Sequence, residues 1–275
     1  PAIAPAMPHL LTLDGMPRER ILALLDRAQL FAEGHDLRGL LAGTAVCTLF
    51  FEPSTRTRMS FHLAAQRLGA DVLNFDASTS STRKGETALD TLRNLEAMGV
   101  RGFVVRHSED GAVAALARRV RPGTALINAG DGRSAHPTQG LLDMLTLRQA
   151  KGDAFERLTV LIVGDVRHSR VARSDLHALR TLGAGEIRVC GPQALLPDDG
   201  TLAGCAVSHD LDAALDGVDV VMMLRLQRER MEEGLVSSLE DYHRAYGLTA
   251  QRLRRAKPDA VVMHPGPINR GVEIA

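Results

Sequence analysis

The sequence predicts two α/β domains, each a parallel sheet with helices on both faces and functional residues in the cleft at the carboxyl ends of the strands. Three observations carry that prediction. Short apolar runs alternate with amphipathic stretches along the whole chain. At 275 residues, the chain is too long for one small core and suits two domains of ordinary size. Hydrophobic residues make up 45% of it, a globular share that excludes a disordered chain.

After a Pro/Ala-rich start, residues 16–33 read as a helix whose apolar stripe is Ile21, Leu22, Leu24, Leu25, Ala28 and Leu30. The apolar run 45–51 reads as a buried strand, broken by Glu52-Pro53-Ser54-Thr55. Helical periodicity spans 58–68 and stops at Gly69. Strands are predicted at 71–75, 102–106 and 125–128, helices at 86–98 and 111–119, and a Ser/Thr-rich polar loop at 77–84. A helix over 136–150 precedes the break Lys151-Gly152-Asp153, and the domain boundary is set at its start, giving domains 1–135 and 136–275. Further strands are expected at 159–163, 186–190, 218–224 and 260–264, with helical stretches between them. Strand, helix, strand at this spacing means parallel pairing, because a parallel connection needs a crossover.

The charge balance excludes several function classes. Thirty-three basic and 33 acidic side chains leave no formal net charge, which argues against a nucleic-acid coat or a membrane-surface protein. An anionic ligand would need a local cluster. Cys47, Cys190 and Cys205 show neither CxxC spacing nor an even framework, so free thiols in a reducing cytoplasm are expected. No apolar run reaches the ~18–20 residues that span a bilayer, and no charged leader precedes an apolar one. Lys84, Lys151 and Lys257 are the only lysines in a chain that otherwise uses arginine.

Phe51-Glu52-Pro53-Ser54-Thr55-Arg56-Thr57-Arg58 is the most informative stretch, because it lies where a strand gives way to a helix. Free backbone N–H groups and the positive helix end meet there. Hydroxyls at Ser54, Thr55 and Thr57 and the guanidinium of Arg56 complete a phosphate cradle, since arginine meets phosphate with paired, charge-assisted bonds. The structural alternative is an ordinary helix cap with two solvated arginines. The density of polar groups at one strand end favours the cradle. His136-Pro137-Thr138-Gln139 is the second stretch. Proline suits the first helical turn, which leaves the His136 ring near the cap position, able to donate to a carbonyl oxygen. Gln139, one turn on, can bond an amide-like group. His136 or Arg106 alone would more simply be a packing or capping residue.

Together these stretches resemble the catalytic chains of the aspartate carbamoyltransferases. The resemblance runs from about Leu10 to the last residue. Its ordered motifs are Ser54-Thr55-Arg56-Thr57-Arg58, Lys84-Gly85-Glu86-Thr87, Val105-Arg106-His107, His136-Pro137-Thr138-Gln139, Gly164-Asp165 with Arg170, Arg225-Leu226-Gln227 and His264-Pro265-Gly266-Pro267. The first and fourth alone mark only the wider carbamoyltransferase family. Ornithine carbamoyltransferases, the alternative within it, typically carry His-Cys-Leu-Pro near the C-terminus and a Ser-Met-Gly loop. Neither occurs here, and Arg225 suits a substrate carboxylate better than a cationic side chain. A catalytically silent assembly subunit on the same fold is a further alternative, against which every matched polar position is intact.

The resemblance implies transfer of the carbamoyl group of carbamoyl phosphate to L-aspartate, with no cofactor and no metal. It assigns the phosphate to Ser54, Thr55, Arg56, Thr57 and Arg106, joined by Ser80 and Lys84 from an adjacent subunit. Thr57, Arg106 and His136 would bond the carbamoyl oxygen. Gln139 and the carbonyls of Gly266 and Pro267 would accept from the carbamoyl NH₂. Arg170 and Arg225 would clamp the aspartate carboxylates, assisted by Gln227 and Lys84. The Gly266–Pro267 bond is expected to be cis, as in relatives. The family also implies a homotrimer, compatible with larger assembly with regulatory or dihydroorotase-like chains. Its members continue some tens of residues past the equivalent of Ala275, into a helix that packs back on the first domain, and that helix is expected to be absent here.

Other features carry less. Val160-Leu161-Ile162-Val163-Gly164-Asp165 opens like a dinucleotide fingerprint but lacks its later glycines. The ten histidines form no HExxH. Arg252, Arg254 and Arg255 read as a solvated helix face, Met222 and Met223 as core, and His62 as surface or packing.

Overall fold

A computed structural model of the chain describes residues 9–76, 86–226 and 234–275. The chain falls into two compact units, built mainly of Leu22–Thr138 and Gln139–Ala275.

The first unit contains β1 (His9–Leu10), α1 (Arg18–Ala32) from Leu22 onward, β2 (Ala45–Phe50), α2 (Thr55–Arg67), β3 (Asp71–Asp76), α3 (Ala88–Ala97), β4 (Val100–His107), α4 (Ala112–Ala117) and β5 (Ala125–Asp131). All five strands run parallel in the order β1-β5-β4-β2-β3. Side chains alternate across this sheet. Cys47, Leu49, Phe103 and Val105 join Leu92 of α3 and Val113 of α4 in one apolar cluster. Val46, Phe50 and Val104 join Ala65 and Phe61 of α2 in another. Both faces are therefore covered by helices, as near-continuous apolar strands require.

The second unit contains α5 (Pro137–Lys151), which begins at the junction of the two, then β6 (Thr159–Val163), α6 (Arg170–Leu182), β7 (Glu186–Cys190), β8 (Ala206–Ser208), α7 (Leu211–Ala214) and β9 (Val220–Met223), followed by α8 (Leu239–Tyr246), α9 (Ala250–Leu253) and β10 (Val261–Met263). Its strands are again all parallel, ordered β10-β9-β6-β7-β8. Leu161, Val163, Val221 and Met223 face Leu211, Leu215 and Leu248 on one side. The alternate Val160, Ile162 and Met222 are buried as well.

Several expectations need correction. Helix α2 starts at Thr55, not at 58, because its first turn, Thr55-Arg56-Thr57-Arg58, is polar and gives no apolar period. Helix α3 starts at Ala88, because Thr87 caps it reciprocally with Asp90: Thr87 N–H donates to Oδ2 at 3.1 Å and Asp90 N–H to Oγ1 at 3.2 Å. Strands β1 and β8 were not foreseen. Each is two or three residues long, and Ala206 and Val207 of β8 are exposed at a sheet edge. Arg252 is not a solvated residue. Its guanidinium donates to the carbonyls of Gly247 and Arg244 at 2.8 and 2.7 Å and pairs with Asp212 at 3.1 Å, tying α7 to the end of α8. Met222 and Met223 are core. His62 is bonded to Asn74, whose Oδ1 also accepts from Thr48 at 2.7 Å, so it is a packing residue.

Candidate active site

In the first sheet the chain leaves β2 for β3 on one side and returns to β4 on the other. The direction of winding therefore switches between β2 and β4, the place where open α/β sheets bind ligands beyond the carboxyl ends of their strands. Register brings the two ends together. Phe50 faces Arg106, and the Phe51 N–H donates to the Arg106 carbonyl at 2.9 Å. Ser54 holds the N-cap of α2 in extended geometry (φ −163°, ψ 100°), yet its hydroxyl makes no capping bond among the described residues. The hydroxyls of Ser54, Thr55 and Thr57 are thus gathered at a positive helix end. The Arg56 side chain is exposed, whereas Arg58 turns back over the Phe50 ring, 5.8 Å from its centroid. Arg58 is accordingly not one of two solvated arginines.

Arg106 is held from two sides. Its Nη1 donates to the Ala129 carbonyl at 3.1 Å, and its Nε lies 2.9 Å from Glu52 Oε2, with only 13% of the side chain exposed. The loop after β5 is set as firmly. Buried Asn128 donates from Nδ2 to the Leu11 carbonyl at 2.8 Å, and its Oδ1 accepts from Gly130 N–H at 2.8 Å. Gly132 adopts φ +50°, and a Cβ there would fall 2.1 Å from Asp110 Oδ1 and 2.6 Å from the Asp110 nitrogen. That oxygen accepts from the Arg133 N–H and, at 2.9 Å, from the Ser134 hydroxyl. The loop delivers a buried His136 to the start of α5, where Nδ1 lies 3.5 Å from Thr138 Oγ1.

In the second sheet the winding switches between β6 and β9, and the same edge carries the candidate aspartate residues. After β6, Asp165 lies 2.8 Å from His168 Nδ1, and Ser169 caps α6 by accepting from Ala172 N–H at 3.1 Å. Arg170 is the first residue of α6. Arg225 follows β9 and is exposed between buried Leu224 and Leu226.

Beyond β10, the Gly266–Pro267 bond is cis and Gly266 has φ +69°. His264 Nδ1 accepts from the Gly266 N–H at 2.7 Å, so Nε2 carries the ring proton and donates to Glu273 Oε1 at 3.0 Å. Glu273 is fully buried. Burial raises its carboxyl, but bonds from His264 and the Asn269 N–H outweigh that and hold it below the usual carboxylate range. Asn269 Nδ2 donates to the Leu226 carbonyl at 2.8 Å, tying the segment after β10 to the segment after β9.

Gln139, on the first turn of α5, donates from Nε2 to Asp143 Oδ1 at 3.0 Å. Asp143 is in turn bonded to Asp175 of α6. Burial pushes both carboxyls up, and the charge of Asp143 pushes Asp175 further. The pair therefore keeps a proton at pH values where the unfolded chain, with aspartates near ~3.9, has lost it. A raised folded value means stability falls as pH rises through this window. Asp175→Asn should flatten that dependence by about one proton, ~1.4 kcal/mol per pH unit, in urea unfolding measured from pH 5 to 8.

Lys151 and Lys257 are structural, paired with Asp259 and Asp219 at 2.8 and 2.7 Å. Ser80, Lys84 and Gln227 lie outside the described residues. Cys47 and Cys190 are buried, free thiols pushed up to about 12 by burial, unsuited to act as nucleophiles. Among the described residues no three His, Cys, Asp or Glu side chains gather as a metal would need. No described helix is long and apolar enough to cross a membrane.

Asn128, Asp143, Asp175, Asn269 and Glu273 escaped the sequence reading. Asp143 had a signal, one helical turn after Gln139. The rest depend on partners that only the fold supplies.

Two adjoining family models match this chain. The carbamoyl-P binding domain of aspartate/ornithine carbamoyltransferase matches residues 8–149, and the Asp/Orn binding domain matches residues 156–275. The chain belongs to the aspartate/ornithine carbamoyltransferase family. Within that family it is 77% identical over 270 residues to an aspartate carbamoyltransferase catalytic subunit from Xanthomonas euvesicatoria pv. vesicatoria, covering 97% of this chain and 86% of the relative. A crystal structure of aspartate transcarbamoylase from Trypanosoma cruzi with carbamoyl aspartate and phosphate superposes with a TM-score of 0.83 at 32% identity, covering 97% and 86% of the two chains. Ornithine carbamoyltransferase from Pyrococcus furiosus gives 0.85 at 28% identity, covering 100% and 89%. The fold is thus common to both branches of the family, and substrate choice rests on side chains.

Proposed function

We propose that the chain is an aspartate carbamoyltransferase, converting carbamoyl phosphate and L-aspartate to N-carbamoyl-L-aspartate and phosphate, a step of pyrimidine biosynthesis. The observation that carries the reading is the Phe50–Arg106 register, which sets the hydroxyl-rich start of α2 beside a restrained guanidinium. The high identity to relatives named for aspartate supports the choice of acceptor.

The aspartate α-amine attacks the carbamoyl carbon, the bond to the phosphate oxygen breaks, and the departing phosphate takes the amine proton. No side-chain nucleophile is required. Ser54, Thr55, Arg56, Thr57 and Arg106 bind the phosphate. Thr57, Arg106 and His136 donate to the carbamoyl oxygen, where negative charge grows in the transition state. Gln139 Oε1 and the carbonyls of Gly266 and Pro267 accept from the carbamoyl NH₂. Arg170 and Arg225 bind the two carboxylates with bidentate geometry, assisted by Gln227 and Lys84. Catalysis is by position and electrostatics.

In this reading residues 1–135 bind carbamoyl phosphate and residues 136–275 bind aspartate. The working form is a cytoplasmic homotrimer in which Ser80 and Lys84 serve a neighbouring subunit's site, and which can join regulatory or dihydroorotase-like chains. Carbamoyl transfer measured with L-aspartate and L-ornithine side by side tests the acceptor. Turnover with aspartate alone is expected, and turnover with ornithine would sink the arginine clamp.

A further inference from the structure

We propose that Asp143, backed by Asp175, is a positioning residue that fixes which end of the Gln139 amide faces the substrate. The inference rests on the carbamoyltransferase reading and deepens it. A glutamine amide has a donor end and an acceptor end of nearly the same shape. Left free, it can turn either toward a ligand. The carbamoyl NH₂ is a donor, so only Oε1 can serve it, and an amide turned the other way would set two donors against each other.

The geometry removes that choice. Gln139 Nε2 lies 3.0 Å from Asp143 Oδ1, one helical turn along α5. Asp143 and Asp175 are both buried, and they are bonded to each other. Two buried carboxyls in contact cannot both be ionised, so the pair shares a proton. Asp175 holds it. Asp175 is the more deeply buried, and its Oδ1 has no hydrogen-bond partner among the described residues, which an ionised carboxylate could not sustain. The Asp175 hydroxyl therefore donates to Asp143, and Asp143 stays an acceptor-only carboxylate. Such a group can bond only the Nε2 end of Gln139, which leaves Oε1 to point away from it. A simple tie between α5 and α6 would not need a charged group next to Gln139, since an apolar pair of equal volume would join the helices as well.

The test is a double-mutant cycle read in kinetics and in the Gln139 side-chain amide resonances, assigned by their loss in Gln139→Glu. In the wild-type chain one Nε2 proton should exchange slowly and the other fast. Asp143→Leu should abolish that difference and lower kcat/KM for carbamoyl phosphate about tenfold, leaving KM for aspartate unchanged. Asp143→Asn, which can still accept from Gln139 and donate to Asp175, should restore the slow proton and bring kcat/KM within about threefold of wild type. Gln139→Leu combined with Asp143→Leu should be no worse than Gln139→Leu alone. Additive losses, or two equivalent amide protons in the wild-type chain, would overturn the proposal. A wild-type chain inert toward aspartate would overturn the functional reading instead, while the amide resonances would still decide the role of Asp143. Those resonances need no variant to fold beyond the one used for assignment. A protonated-carboxyl infrared band at neutral pH that vanishes in Asp175→Asn is the companion signature, and its absence from wild type would overturn the shared proton.

Discussion

Arg106→Ala is expected to lower kcat for carbamoyl transfer by about 10²–10³-fold, the usual effect of deleting one preorganised donor to a developing oxyanion. The size of the effect follows from how the side chain is held. The Ala129 carbonyl and the Glu52 carboxylate fix the guanidinium before substrate arrives, so little reorganisation is left for the transition state. Glu52 remains 30% exposed, so losing its partner leaves no buried, unpaired charge, and the variant should fold. Steady-state kinetics with both substrates, beside a thermal melt, separates a catalytic loss from an unfolded protein. A near-normal rate in the folded variant would remove the oxygen-polarising role of Arg106.

Gly132→Ala should destabilise the first unit by about 3 kcal/mol and cost activity more than stability alone would suggest. Two effects add. A non-glycine residue at φ +50° costs roughly 1–2 kcal/mol, and the new methyl would press on the Asp110 carboxylate and backbone nitrogen. The Asp110 side chain could turn aside, but its nitrogen cannot, so the loop must shift. His136 is four residues on, and the same loop donates from the Gly130 and Arg133 N–H groups to Asn128 and Asp110, while its Ala135 carbonyl accepts from Asn128 Nδ2. Denaturant unfolding measures the first effect, and kcat in the fully folded range measures the second. Wild-type values for both would show that the loop does not govern His136.

The parts of this molecule that were legible in its sequence share a physical cause. Strand β6 occurs at its expected bounds because Val160, Leu161, Ile162 and Val163 bury both of its faces and the apolar run ends sharply at Gly164. Strand β8 was missed because an exposed three-residue edge needs no apolar pattern. The start of α2 lies earlier than its apolar period because Thr55, Arg56, Thr57 and Arg58 are polar and interrupt that period. In the candidate site, Ser54, His136 and Gln139 stood out because strand-to-helix junctions announce themselves through Pro, Ser and Thr, whereas Arg106 was singled out only by the family resemblance. Glu273, Asn269 and Asp175 stayed hidden. Each takes its meaning from a partner on another element: Glu273 from the ring of His264, Asn269 from the carbonyl of Leu226, and Asp175 from Asp143.

The pairing of β1 with β5 has a consequence for how the chain is made. His9 Nδ1 accepts from the Leu126 N–H, and the Leu11 carbonyl accepts from Asn128, each across 117 residues of sequence. At roughly 5–20 residues per second, a ribosome delivers those partners about 6 to 23 s after it has made the first strand. Through that interval Leu11, which packs against the core of the finished sheet, has no complete sheet to rest on. Strand β1 is therefore among the last parts of its sheet to settle, and its wait on the ribosome is when a chaperone would have most to hold.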